Sequence, residues 1–220
     1  MYNLTLYNYY RSSTSYRVRI ALELKKLTYE YKSIHLLNNE QNLPAYRNLN
    51  PIGGVPTLKH NDFILSQSLV IIEYLDDAFP QSLKLFPKDI ILKAKVKQFC
   101  EIINGDMHAF GNLKVLQYLE KKHNYNQDEK DAWVQHWFTQ GFASLEKILQ
   151  VTANEYCFGT DVTVADVLLV PFIFTAQRLK MDLSPYPTVL RINTNCLARA
   201  EFLKAHPLRQ IDTPTELKIN

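Results

Sequence analysis

The hydrophobic period of this chain changes once and does not change back. Through residue 80, short alternating runs trade places with helical ones; beyond residue 88 no run alternates. Asn3–Tyr7 (NLTLY) reads as a strand. Tyr16–Leu27 places Val18, Ala21, Leu22 and Leu24 near one side, a helical spacing, with Ser15 as its N-cap. Tyr29–Ile34 alternates again, and Pro44–Leu49 reads as a helical turn. Val55–Leu58 and Phe63–Leu65, joined by His60-Asn61-Asp62, read as a hairpin. Ser66 then opens a helix over Gln67–Ala78, with Leu69, Ile72 and Leu75 at helical spacing. A βαβ start demands a parallel pair with a right-handed crossover. The hairpin and helix complete a small mixed sheet, which is thioredoxin-like architecture.

Phe79–Lys88 holds Pro80 and Pro87 and has no period, so it separates two parts. The expected organisation is α/β plus all-α: a thioredoxin-like domain over 1–80, a linker over 81–88 and an all-helical domain over 89–220. Within the last, helices are predicted over Ile90–Leu119, Asp128–Gln150, Ala165–Leu179 and Leu190–Lys204. Ala165–Leu179 is apolar all round and should be central. Thr163 and Asp166 before it have capping-box spacing and are read as structural. Trp133 and Trp137, an i, i+4 pair, are read as packing.

Composition excludes several classes. With 220 residues, 46% hydrophobic and 21% charged, the chain can bury a core without staples. Residues 1–80 carry 8 basic and 7 acidic side chains against 17 and 15 in the rest. Neither part is basic enough for nucleic acid or a membrane surface. No apolar run approaches the ~18 residues of a membrane span. MYNLTLYNYYRSS lacks the basic and apolar segments of a secretory signal. Three distant cysteines, Cys100, Cys157 and Cys196, give neither a disulfide framework nor a Cys-based zinc site, and point to a reducing cytoplasm. Six scattered histidines show no metal-binding spacing, so no metal is expected.

Three places carry chemistry. Ser12-Ser13-Thr14-Ser15 stands at a predicted helix N-terminus, between Arg11 and Tyr16-Arg17. Free N–H groups and the helix dipole stabilise an anion there, a thiolate included. The run holds no cysteine, which suggests that the thiol arrives on a ligand; the rival reading is plain capping. Val55-Pro56 opens a strand, where a cis bond would free Val55 to pair with an extended peptide. Gln67-Ser68 opens a further helix and suits a carboxylate, or again a cap.

These residues resemble the zeta class of glutathione transferases. The resemblance rests on SSTSYRVRIALELK (12–25), NLNPIGGVPTL (48–58), SQSLVIIEYLDDAFP (66–80), GTDVTVADVLLVP (159–171) and HPLRQIDTPTEL (206–217), and covers essentially the whole chain. It implies the glutathione transferase fold, glutathione as cofactor, a homodimer and a small dicarboxylate substrate. The implied activity is glutathione-dependent cis–trans isomerisation of maleylacetoacetate to fumarylacetoacetate in tyrosine and phenylalanine catabolism. Maleylpyruvate isomerisation and general glutathione transfer are the alternatives. The resemblance makes Ser12, with Ser13 in support, the group that activates the sulfur. Thr14, Ser15, Tyr16 and Arg17 would complete the glutathione motif. Gln41 would meet the glycyl end, Val55 the cysteinyl backbone, and Gln67 and Ser68 the γ-glutamyl carboxylate. Arg178, with Arg11, would meet the substrate's carboxylates. His108 and Asn112 would line the cofactor from the helical side. Two positions depart from the class pattern: Thr14 replaces the usual cysteine and His108 the usual glutamine.

Overall fold

Leu4–Asn8 (β1) is buried on both faces although Leu and Thr alternate along it; it lies inside the sheet. The computed structural model describes residues 3–219. After β1 comes α1 (Ser13–Leu24), which crosses over to β2 (Glu30–Ser33), parallel to β1 with Thr5 opposite Glu30. A short helix, α2 (Pro44–Arg47), precedes β3 (Thr57–His60), which runs antiparallel to β1 with Leu6 opposite Leu58. β4 (Phe63–Ser66) closes the hairpin, and the strand order is β2-β1-β3-β4. α3 (Ser68–Ala78) packs against α1. The expected mixed sheet is present.

α1 begins three residues earlier than the spacing predicts, and its N-cap is Ser12 rather than Ser15: the Ser12 hydroxyl accepts from the Ser15 N–H at 3.2 Å. Ser15 is buried inside the first turn. Nearly every residue of α1 is buried, Arg17 and Arg19 included. The segment that follows α3 is docked, not a free linker. The buried Asp76 carboxylate accepts the N–H groups of Leu85 and Phe86 and pairs with buried Lys25. A buried charge is tolerable when it is paired and hydrogen-bonded in this way.

The chain divides into two compact units. One comprises residues up to Phe86 together with those from Leu197 on; the other is Pro87–Cys196. The C-terminal stretch expected in the helical domain therefore belongs to the first unit. Its short helix α9 (Ala200–Ala205) lies on α1. The reason includes buried Arg19 on α1 and the acceptors it requires. Arg19 donates to the carbonyls of Ala205 (3.0 Å), Tyr9 (3.3 Å) and Tyr10 (2.9 Å) and to Asn8 Oδ1 (3.0 Å). Burial pushes its pKa down, so those acceptors are what holds the charge in place.

In the second unit the predicted helix over 90–119 is broken. α4 (Ile90–Glu101) runs into a π-helical segment, Ile102–His108, where the Ala109 N–H reaches back five residues to Asn104. α5 (Leu113–His123) then restarts, capped by Asn112. α6 (Gln127–Thr152) follows, and α7 (Val164–Arg178) is the buried helix the sequence predicts. Thr163 and Asp166 form its capping box, and Asp166 also accepts the Cys157 N–H at 2.8 Å. Trp133 donates to the Phe110 carbonyl and Trp137 stacks on the Phe110 ring, as packing residues do. α8 (Pro187–Leu197) ends where the first unit resumes.

Candidate functional site

The N-terminus of α1 is the centre of the site in the first unit. Tyr9 and Ser12 close a turn, with the Ser12 N–H on the Tyr9 carbonyl at 3.1 Å. This turn carries the chain from the end of β1 into the helix. Within the first helical turn, the N–H of Ser15 goes to the Ser12 hydroxyl and that of Tyr16 to the Ser12 carbonyl. The N–H groups of Ser13 and Thr14 have no carbonyl above them in the helix. Together with the dipole they form an anion-stabilising end. Ser12, Ser13, Thr14 and Arg11 are all half-buried.

Two hydrogen bonds bring the three chemistry-bearing segments together. Thr14 Oγ1 donates to the Val55 carbonyl at 2.8 Å, tying the helix end to the Val55–Pro56 loop. The Val55–Pro56 bond is cis, as the sequence suggests. Arg17 donates to Ser68 Oγ at 3.1 Å, tying α1 to the start of α3. Ser68 is buried and keeps its own hydroxyl hydrogen to donate. Gln67 stands at the cap position of α3 with φ 73 and ψ 111, and its side chain makes no capping bond. The plain-cap reading therefore fails for Gln67, whose exposed amide is held up to solvent on a backbone that L-residues rarely adopt.

Gln41 lies in a 3₁₀ turn, Glu40–Asn42, and is 7% exposed. Its Oε1 is buried with no hydrogen-bond partner among the described residues. A buried acceptor left in this state is what a ligand donor would satisfy. Together with the anion-stabilising helix end and the Val55 loop, it makes the first unit a fit for a peptide carrying a thiol.

Around this centre, burial pushes the Tyr9 hydroxyl up to about 12 despite nearby Arg11, so it stays protonated. Tyr16 is fully buried, with its ring edge-on to His206, and acts as packing for the helix.

His108, Asn112 and Arg178 belong to the second unit. His108 ends the π-helical segment, with its ring against Phe172, and its Nε2 is 3.4 Å from Asn112 Nδ2. The Asn112 carbonyl oxygen is engaged as the cap of α5. Arg178 is exposed in the last turn of α7.

The sequence reading missed two residues that shape this site. Arg19 grips the Tyr9 and Tyr10 carbonyls just ahead of Ser12. Asp212, part of a C-terminal motif with no chemistry assigned to it, accepts the Tyr10 N–H (3.0 Å), Ser33 Oγ (3.0 Å) and the Tyr31 hydroxyl. The signal that could have found Arg19 was a cation on a helix whose neighbours are otherwise apolar.

Comparison with known proteins places this geometry. Residues 2–77 match the glutathione S-transferase N-terminal domain family. Maleylacetoacetate isomerase of Mus musculus is 43% identical over 215 residues, covering 97% of this chain and 96% of that protein. A holo structure of maleyl pyruvate isomerase, a bacterial zeta-class glutathione transferase, matches with TM-score 0.92 and 36% identity, covering 96% of this chain and all of that one. Maleylacetoacetate isomerase from Methylobacterium extorquens AM1, solved with bound malonate and glutathione, matches with TM-score 0.93 and 30% identity over 96% of this chain and all of that one. The thiol-shaped helix end without a cysteine is thus found in a chain that belongs to the zeta class of glutathione transferases, in its maleylacetoacetate isomerase family.

Proposed function

We propose that this chain is a glutathione-dependent cis–trans isomerase of a small diacid, converting maleylacetoacetate to fumarylacetoacetate in tyrosine and phenylalanine catabolism. One observation carries the reading. The N-terminus of α1 is arranged to hold a sulfur anion, while the first unit contains no cysteine; Cys100, Cys157 and Cys196 are buried in the other. The nucleophile must come with a ligand. Glutathione, when bound, supplies the thiolate that adds to the cis double bond and departs once rotation about it has occurred.

The chain's own residues then have separate tasks. The α1 N-terminus and the hydroxyls of Ser12 and Ser13 lower the thiol's pKa and hold the anion. Val55 offers its N–H and C=O to the peptide backbone. Gln67 and Ser68 take the γ-glutamyl carboxylate and Gln41 the glycyl end. Arg11 is the fork the first unit offers to a diacid carboxylate.

The test is isomerisation of the cis diacid with catalytic glutathione. Turnover that leaves glutathione undepleted is expected; a stoichiometric, stable adduct would refute isomerisation in favour of transfer. The likeness to a maleylpyruvate isomerase favours that diacid as the second reading, so both substrates belong in the assay. A homodimer in the reducing cytoplasm is part of the same proposal, the latter supported by three buried free cysteines. Light scattering at micromolar concentration should give about twice the chain mass, and a monomer would refute the dimer.

A further inference from the structure

We propose that Thr14 competes with a bound sulfur anion for the hydroxyl hydrogen of Ser12, and so sets how firmly Ser12 can hold that anion. This rests on the reading of Ser12 as the sulfur's partner.

The argument is an accounting of hydrogens. Thr14 has one hydroxyl hydrogen, and the Val55 carbonyl, 2.8 Å from Thr14 Oγ1, can only accept. That hydrogen is therefore committed. Ser12 Oγ lies 2.9 Å from Thr14 Oγ1, so between these two hydroxyls Ser12 is the donor. Ser12 Oγ in turn accepts from the Ser15 N–H at 3.2 Å. The direction of the chain is fixed: Ser15 N–H to Ser12, Ser12 to Thr14, Thr14 to Val55. The single hydrogen Ser12 could offer a thiolate already has an acceptor. Among the described residues the neighbouring Ser13 hydroxyl makes no hydrogen bond.

Holding a thiolate thus requires the Ser12 hydroxyl to rotate away from Thr14. The neutral thiol form keeps the Ser12–Thr14 bond; the anion form gives it up. An acceptor at position 14 weights the balance toward the thiol. The same Thr14 steadies the Val55 carbonyl, whose second lone pair stays open to a peptide N–H. Removing the Thr14 hydroxyl should therefore act in opposite directions: a more acidic bound thiol and a less well-placed peptide.

The experiment titrates the ultraviolet thiolate absorbance of reduced glutathione bound at saturation to the full chain, and measures glutathione affinity by calorimetry. No turnover is involved. Thr14→Val, and Thr14→Ala as a second variant, should titrate about half to one pH unit lower than the unmodified chain, the shift one ordinary hydrogen bond corresponds to. Both should bind glutathione several-fold more weakly. Thr14→Ser, which restores the acceptor, should return the original curve. Ser12→Ala should titrate higher. An unchanged or raised titration in both Thr14→Val and Thr14→Ala, alongside a raised one in Ser12→Ala, would overturn the competition while leaving Ser12 as the sulfur's partner. An unchanged titration in Ser12→Ala would overturn that partnership, and the competition with it.

Discussion

Replacing Gln67 by glycine should raise stability and lower glutathione affinity together. At φ 73 and ψ 111, Gln67 occupies backbone space that costs a residue with a Cβ about 1–3 kcal/mol. Nothing local repays the strain, since the side chain makes no capping bond and is exposed. Glycine removes the clash but adds about 0.5–1 kcal/mol of unfolded-chain entropy. The net gain for Gln67→Gly then lies between about 0 and 2.5 kcal/mol, centred near 1. For a chain of this size that is a rise of a few degrees in melting temperature. Gln67→Ala is the discriminating partner, because it loses the same amide but keeps the Cβ and therefore the strain. Both variants should lose about 1–3 kcal/mol of glutathione binding, the worth of a hydrogen bond to a charged group. Melting is followed by circular dichroism without glutathione, and affinity by titration calorimetry. If Gln67→Gly melts no higher than Gln67→Ala, the backbone is not strained as argued. If both bind glutathione normally, the amide does not face the ligand.

Arg19→Met should cost about 2 kcal/mol or more in denaturant unfolding, because it leaves the Ala205 and Tyr10 carbonyls without their donor; protease should then release the C-terminal segment first, and an unchanged cleavage pattern would contradict its role as the tie. Asp166→Ala should destabilise the chain by a similar amount, since it strips the capping box of α7 and the partner of the Cys157 N–H; a loss below about 1 kcal/mol would contradict this. His206 is pushed down to about 4, chiefly by burial, so the folded state keeps it neutral while the unfolded chain protonates it below its ordinary 6.5. The unfolded state binds the extra proton, so its contribution to stability is whole above about 6.5 and declines as pH falls toward about 4. The difference between the stability–pH curves of the unmodified chain and His206→Gln should narrow across that window, and parallel curves would contradict the assignment.

The mixed sheet was legible because one crossover demands a parallel pair and the short runs after it read as a hairpin. The helix start was not. Ser12, Ser13 and Ser15 are interchangeable as caps by local chemistry, and what favours Ser12 includes a contact from Thr14 to Val55, 41 residues away. The break after Glu101 was hidden for a related reason: Ile102, Ile103 and Met107 continue the apolar pattern, and a π-helical segment differs only in which carbonyl each N–H selects. Period tells that a face of the 197–204 region must be covered, but not by which unit. Its owner was decided by Arg19, whose acceptor at Ala205 lies 186 residues downstream. The three segments proposed to hold the ligand stood out because each stands at a helix or strand start with its own local signature.

The first unit is built from both ends of the sequence, while the second is a single uninterrupted stretch. Translation completes Pro87–Cys196 before it reaches the residues that cover α1. The outer face of α1 stays bare meanwhile: Arg19 lacks its Ala205 acceptor and the Tyr10 N–H lacks Asp212. Closing so long a loop is slow relative to local contacts. The first unit is therefore the last to be finished, and a chain truncated after Cys196 would hold every residue of the second unit while the first lacks Ala205 and Asp212.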